Sequence, residues 1–409
     1  MAPLPWQGIT FGVELEFMTP CPNNKRLWKS LAPAAAARLN IAELLAKATN
    51  FPIACECVHD IGRTCPICDQ TPERHMYGET RVLNFPSTVP NGTILRDCCF
   101  LFKPEFLVRK HKLTIQRNWP GVEFSTPIFH SGELRSGLPT MNSVLSNIRQ
   151  MGLDITADNS CGMHVHVGIE GGMTLLLAQK ITTLVMLLEN TLLLRLVSPI
   201  RWVSDYAEPV CESSRAATGI WSMPNDTKLF EKHIPPMSAM QPGKWNKNDV
   251  DRYYGMFGTV WSAQSLQSLA GVIRKGGYHR CAFTLALRNR DGKHSEIMFK
   301  KNLENSPSTV EFRYSQMTFD HALMRNWTEV VARIVVLAQA DAGKFKECVE
   351  LIMQLHHEAE VDGKTAWKLL LKYVLKLEHR IPEWEAQLAK FKRGEHISHL
   401  DENLLLMSD

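Results

Sequence analysis

Three short segments of the chain carry pairs of polar residues that could bind metal ions or phosphate. The pairs are Glu14 with Glu16, His164 with His166, and Glu311 with Arg313. Residues two positions apart on a β-strand point to the same face, so each pair would lie side by side, with apolar residues on the other face. Carboxylates and imidazoles are ligands for divalent cations, and an arginine beside them suits a polyphosphate. If the three strands are neighbours, the pattern predicts a nucleotide site.

Each pair taken alone also fits the solvent-facing side of an antiparallel strand. Two features favour a functional interpretation. Glu14 and Glu16 would repel each other unless a cation or solvent relieved them. The histidine pair is framed by Gly162 and Gly168, which is less ordinary for a simple surface strand.

The elements that would position these residues alternate between strands and helices. Strands are predicted at 10–17, 101–108, 121–127, 161–168, 281–288 and 309–315, and helices at 33–47, 138–151, 173–197 and 321–393. Residues 52–100 are rich in Cys, Pro, Gly and Asn, which predicts a loop-like insertion. Residues 198–250 have no steady periodicity, which predicts a lid at 203–250. The mixed order predicts an α+β fold, with a catalytic domain over 1–335 and a C-terminal helical extension over 336–409 packed on it.

The composition excludes several classes of protein. The chain has 409 residues, 44% of them hydrophobic and 22% charged, which is typical of a globular protein and not of a disordered one. Its formal charge of +4 is small, so no nucleic-acid partner is expected. The most apolar segment contains Lys180, Glu189 and Arg195, which predicts a buried helix and no membrane partner. The N-terminal residues lack a signal-peptide pattern and the eleven cysteines are unevenly spread, so we expect a cytoplasmic location.

Five segments in consistent order resemble those of the amidoligase family, carboxylate–amine ligases related to glutamine synthetase and γ-glutamylcysteine ligase. They are GlyValGluLeuGluPhe at 12–17, GlyValGluPheSerThrPro at 121–127, SerCysGlyMetHisValHisValGly at 160–168, SerProIleArg at 198–201 and ThrValGluPheArgTyr at 309–314. The resemblance extends over residues 9–335. It implies a glutamine synthetase-like catalytic fold, in which a curved antiparallel sheet carries helices on its outer face.

The resemblance also implies roles for individual residues. It implies metal binding by Glu14, Glu16, Glu123, His164 and Glu311. It implies catalytic roles for Arg313, Glu311 and Arg201, and nucleotide contacts for His166, Arg313, Arg201 and Arg288. The implied cofactors are ATP and Mg²⁺ or Mn²⁺.

The function implied by the resemblance is an ATP- and Mg²⁺-dependent ligase that forms an amide bond through an acyl phosphate, in a peptide or specialised-metabolite pathway. Its partners would be a small-molecule or peptide carboxylic acid and an amine, and a homo-oligomer is compatible with the sequence. Two alternatives stay open. One is a zinc-dependent hydrolase that uses the His-x-His strand, and the other is a non-catalytic, ligase-like binding scaffold.

Four cysteines in the insertion form a separate candidate metal site. Cys55, Cys57, Cys65 and Cys68 follow the pattern C-x-C-x7-C-x2-C. Four thiolates could hold a structural Zn²⁺ tetrahedrally and would fix an otherwise long insertion. Unligated cysteines are the alternative interpretation, because C-x-C is a tighter first pair than the commonest zinc ribbons have.

Overall fold

The computed structural model divides the chain into two compact units. Unit 1 comprises Met1–Thr10, Val165–Ser315 and Asn326–His396, and unit 2 comprises Phe11–His164, Gln316–Arg325 and Ile397–Asp409. The structure describes residues 6, 8–22, 33–57, 79–84, 95–105, 108, 111–202, 204–240, 247–276, 279–291, 295, 302–361 and 366–408. The predicted domain over 1–335 and its extension over 336–409 stay predictions.

Most strands of unit 2 pair antiparallel, in the order β3-β2-β4-β5-β1. The strands are β1 (Ile9–Met18), β2 (Ile53–Cys57), β3 (Glu79–Leu83), β4 (Phe100–Glu105), β5 (Gly121–Ser125) and β6 (Phe129–His130). The β2·β4 pair is parallel, and the short β6 pairs with β1.

Unit 1 contains the remaining strands, β7 (Gly162–Ile169), β8 (Phe283–Ala286) and β9 (Thr309–Gln316). Strand β9 lies between β7 and β8, and β8 pairs with it antiparallel. The division between the units falls within β1, β7 and β9. The predicted combination of strands and helices, with mostly antiparallel pairing, is therefore confirmed. Curvature of the glutamine synthetase type stays a prediction.

Helices make up much of both units. They are α1 (Pro33–Ala48), α2 (Leu95–Cys98), α3 (Lys112–Arg117), α4 (Ser131–Arg135), α5 (Pro139–Gln150), α6 (Leu175–Leu188), α7 (Leu194–Leu196), α8 (Val210–Ser213), α9 (Arg215–Thr218), α10 (Thr227–His233), α11 (Lys247–Trp261), α12 (Leu266–Val272), α13 (His321–Ala338), α14 (Ala342–Val361), α15 (Ala366–Leu369) and α16 (Ile381–Lys392). A π-helical turn, Glu189–Leu193, joins α6 to α7.

Local sequence explains where the principal helices begin. Helix α6 starts after Thr174, whose hydroxyl accepts a hydrogen bond from the backbone N–H of Leu177 at 3.1 Å. Helix α5 begins with Pro139, whose fixed φ suits the first helical turn. Within the described residues, the stretch Leu175–Leu196 is long and apolar enough to cross a membrane, but 72% of its apolar window is buried inside the protein. The prediction of a buried helix is confirmed.

The alternating strands have the apolar faces that the sequence predicts. On β1, Val13, Leu15 and Phe17 are all buried, and so are Met163 and Val165 of β7. On β9, Phe312 is fully buried. Burial of these side chains on one side of each strand fixes which residues occupy the opposite face.

Two sequence-based expectations about irregular segments are wrong for the described residues. The segment 52–100 contains β2, β3 and α2 as well as the start of β4, because Ala54 packs with Cys99 and Leu101 in a buried cluster. The segment 198–250 contains the short helices α8, α9 and α10, which are too brief to produce a clear period in the sequence. A lid function for 203–250 stays a prediction.

The C-terminal residues return to unit 2 and pair with the segment before β7. The backbone N–H of Leu406 donates to the carbonyl of Ile155 at 2.8 Å, and Thr156 forms a β-bridge with Leu405. Arg117 donates to the carbonyl of Asn403.

Candidate functional site

Strand register places the acidic residues of unit 2 on one part of its sheet. On the β1·β5 pair, Glu16 lies opposite Glu123 and Glu14 lies opposite Ser125. On the β4·β5 pair, Lys103 lies opposite Glu123. We call Glu14, Glu16, Lys103, Glu105, Glu123 and His164 the acidic cluster.

Lys103 is the cation of the acidic cluster. Its ammonium lies 3.2 Å from Oε1 of Glu14 and 2.5 Å from Oε1 of Glu123. Burial lowers the pKa of the Lys103 ammonium, but the charges of Glu123 and Glu14 raise it by more, so that the net shift is upward. Burial and the nearby Glu14 raise the pKa of Glu123, and Lys103 offsets part of that effect. Lys103 therefore stays charged and holds two carboxylates together.

His164 connects the two glutamates of β1. Its Nδ1 lies 3.6 Å from Glu14 and its Nε2 lies 3.5 Å from Glu16. The backbone N–H of Gly162 donates to Oε2 of Glu16 at 2.7 Å, which fixes that carboxylate against the start of β7. His164 is only 1% exposed and Glu16 only 7% exposed, so this part of the strands is not a solvated surface.

The donor set of the acidic cluster fits a hard divalent cation. One carboxylate oxygen each from Glu16, Glu105 and Glu123 can lie within 4.8 Å of the other two. Such an oxygen-rich group with excess negative charge is what Mg²⁺ or Mn²⁺ prefers. Glu105 owes its position to a close strand contact at Gly121, where a side-chain Cβ would come within 2.2 Å of the Glu105 carbonyl.

In unit 1, a fully buried glutamate on β9 is surrounded by arginines. Glu311 is 0% exposed, forms an ion pair with Arg313 on the same face of its strand, and lies 3.4 Å from the Arg280 guanidinium. Burial and repulsion from Arg280 lower the pKa of a third arginine, Arg274, whereas Glu311 acts in the opposite direction. A buried carboxylate is stable only with such compensation. We call these four residues the arginine cluster.

His166 lies beside the arginine cluster. Its Nδ1 is 3.1 Å from the hydroxyl of Thr309, and its Nε2 is 3.9 Å from Glu311. Thr309 therefore fixes the plane of the ring, and the other nitrogen faces the carboxylate.

The remaining predicted arginines have different environments. Arg201 is buried and donates from Nη2 to the carbonyl of Arg313 at 3.2 Å, so it supports the backbone of β9. Arg288 is partly buried, and its backbone N–H donates to the hydroxyl of Ser308. The nucleotide contacts predicted for both residues stay predictions.

A second buried glutamate holds β9 from its apolar face. Glu189, in the π-helical turn, accepts hydrogen bonds from the backbone N–H groups of Val210 at 2.7 Å and Cys211 at 2.6 Å, and from the hydroxyl of Tyr314 at 2.5 Å. Burial raises the pKa of Glu189, although all of these donors favour the charged form. Tyr314 directly follows Arg313, so this network fixes the strand that carries the arginine.

Sequence reasoning did not identify Lys103, Glu105 or Arg274 as members of a site. Lys103 and Glu105 share the i, i+2 spacing of the predicted pairs, which is the signal that could have found them. Of the candidate zinc ligands, Cys55 is buried. The Cys57 side chain, Cys65 and Cys68 lie outside the described residues, so the zinc site stays a prediction.

Comparison with known proteins gives one finding. Residues 7–217 match the model of a protein family described as "putative amidoligase enzyme". This range is slightly more than half of the chain and includes the acidic cluster, His166 and Arg201. Searches of curated proteins and of solved structures found no match.

Proposed function

Because this chain belongs to the amidoligase family and is thus a ligase-type enzyme, we propose that it joins a carboxylic acid to an amine at the expense of ATP, with Mg²⁺ as cofactor. The observation that carries the proposal is the fully buried Glu311 with Arg313 and Arg280. A buried carboxylate with paired arginines adds little stability to a strand that is only structural. Charged groups in such environments are typical of functional sites, and a phosphoryl-transfer site uses them.

The proposed reaction has two steps. A carboxylate oxygen of the acid attacks the γ-phosphorus of ATP, the bond to the bridging oxygen breaks, and ADP leaves. The amine nitrogen then attacks the carbonyl carbon of the acyl phosphate. Inorganic phosphate leaves with the bonding electrons and takes up the proton lost by the amine.

The chain's own residues have separate tasks in this proposal. Arg313 supplies a fixed positive charge beside the phosphoryl group, and Glu311 orients its guanidinium. His166 donates to phosphate from the ring that Thr309 orients. The carboxylates of Glu16, Glu105 and Glu123 would hold Mg²⁺, a cation that suits oxygen ligands.

The two alternatives explain fewer observations. A zinc hydrolase that uses the His-x-His strand with Glu14 or Glu16 gives no role to the ion pairs of the buried Glu311 with Arg313 and Arg280. A binding scaffold has no need for the buried charges of Glu311 and Glu16, which are costly to keep.

The test is ADP formation by the purified chain with Mg²⁺ and ATP. A panel of amino acids, dicarboxylic acids and short peptides would supply the acid. Hydroxylamine would serve as the amine, because an acyl phosphate converts it to a hydroxamate, which forms a coloured complex with added Fe³⁺. We expect ADP and hydroxamate in equal amounts for at least one acid. ADP without hydroxamate would indicate a kinase or an ATPase instead.

Matched variants make the test specific. Arg313→Lys keeps the charge but loses the planar fork, and should lower the rate at least about 100-fold. Glu402→Gln changes an exposed carboxylate and should leave the rate unchanged. Full activity in Arg313→Lys, or no ADP with any acid and Mg²⁺, would refute the proposal.

A further inference from the structure

Lys103 occupies a position within the acidic cluster that a metal ion could otherwise take. Lys103 and Glu105 are two residues apart on β4, so their side chains lie on the same face of the strand. The Lys103 ammonium contacts Glu14 and Glu123 at the same time. Bridging two carboxylates from two different strands is what a divalent cation does in an oxygen-rich site.

The charges of the cluster limit how many ions it can hold. Glu14, Glu16, Glu105 and Glu123 have a formal charge of −4, and Lys103 adds a formal charge of +1. One divalent ion beside Lys103 leaves a net charge of −1. A second divalent ion would make it positive and would have to displace the ammonium from Glu14 and Glu123.

We propose that Lys103 is a built-in cation that replaces a second divalent metal ion, so that the acidic cluster binds one such ion, through Glu16, Glu105 and Glu123. The inference rests on the proposed function, because it concerns the same metal. Glu123 is shared, since it contacts Lys103 and also belongs to the donor set. Lys103 thereby sets the metal stoichiometry and keeps Glu14 and Glu123 in place before the ion arrives.

The test is a count of bound Mn²⁺ per chain, measured from the electron paramagnetic resonance signal of free Mn²⁺ during titration. The full chain is compared with Lys103→Met, Lys103→Gln and Lys103→Arg. The matched control is Lys344→Met, which removes an exposed lysine that lies 3.3 Å from Asp341. Lys103→Met and Lys103→Gln should each bind one Mn²⁺ more than wild type. Lys103→Arg and Lys344→Met should match wild type.

Stability gives a second readout that does not depend on counting. Removal of Lys103 leaves Glu14 and Glu123 without their cation, so Mn²⁺ should raise the thermal unfolding midpoint more in the neutral variants than in wild type. If both neutral variants are unfolded in metal-free buffer, they should refold when Mn²⁺ is added. Failure to refold overturns the inference.

The failure of the inference and the failure of the proposed function are distinguishable. Equal, non-zero counts in wild type and in the neutral variants overturn the role of Lys103 alone. No Mn²⁺ bound by wild type or by any variant overturns metal dependence as well. An additional ion in Lys103→Arg would also overturn the inference, because the positive charge is still present there.

Discussion

The buried carboxylate of Glu189 should be one of the most sensitive positions of unit 1. It accepts from the backbone N–H groups of Val210 and Cys211 and from the hydroxyl of Tyr314. Glu189→Ala removes the acceptor of all three donors and leaves them buried. These hydrogen bonds of Glu189 do not involve the acidic cluster or the arginine cluster. Any effect of the substitution on activity would therefore arise from a change in the position of β9.

The magnitude follows from the unsatisfied donors. Each buried donor without a partner costs about 1–3 kcal/mol, which sums to roughly 3–9 kcal/mol for three. The substitution also removes the cost of burying the carboxylate, whose pKa burial raises, and this offsets part of the destabilisation. We therefore expect Glu189→Ala to lower the free energy of unfolding by about 3–5 kcal/mol, and Tyr314→Phe by about 1.5–3 kcal/mol.

Urea denaturation followed by tryptophan fluorescence measures both values. The matched control is Glu212→Ala, an exposed glutamate on α8, which should change stability by less than about 0.5 kcal/mol. In the Glu189→Ala background, Tyr314→Phe should cost nothing further, because its acceptor is already gone. A Glu189→Ala protein as stable as the Glu212→Ala control, or a Tyr314→Phe cost that is equal in both backgrounds, would refute the reasoning.

Two further predictions concern packing and pH. Gly255→Ala should displace Trp221 and shift its fluorescence to the red, because a Cβ at this position of α11 would come within 2.1 Å of the indole ring. The control is Gly271→Ala on α12, where a Cβ meets nothing within 4 Å. This variant should be neutral or stabilising by up to about 1 kcal/mol. Burial lowers the pKa of His356 to about 4, whereas its pKa in the unfolded chain is near 6.5. The unfolded chain therefore binds a proton more readily, and the folded state loses stability as the pH falls below about 6.5. Between pH 7 and pH 5 the free energy of unfolding should fall by about 2 kcal/mol relative to His356→Gln, and equal pH dependence in both proteins would contradict the assignment.

The strands that carry the candidate residues could be predicted because their alternation reports burial. Val13, Leu15 and Phe17 need a core on one side of β1, and this requirement places Glu14 and Glu16 on the other side. The depth of burial could not be predicted. Glu311 has the same sequence pattern as a glutamate on a wet strand face, and its burial depends on chain segments far away in the sequence.

The partners of the candidate residues could not be predicted, because they depend on cross-strand register. Lys103 meets Glu123 only because β4 and β5 pair with these two residues opposite each other, and a shift of one residue would turn Lys103 to the other face. Glu189 shows the same limit for helices. In the sequence it indicates only that the apolar segment around it is a buried helix and not a membrane span, whereas its donors in α8 and β9 are visible only after folding.

The pairing of residues 403–406 with the segment around Thr156 has a consequence for synthesis of the chain. The hydroxyl of Thr156 donates to the carbonyl of Leu404, and these residues are 248 positions apart. A ribosome adds about 5–20 residues per second, so the segment around Thr156 waits about 12–50 s for its partner. During this interval the backbone carbonyl of Ile155, which later accepts from the N–H of Leu406, is open to pairing with other nascent chains. Low temperature during expression, which slows aggregation, should therefore increase the soluble yield of this protein.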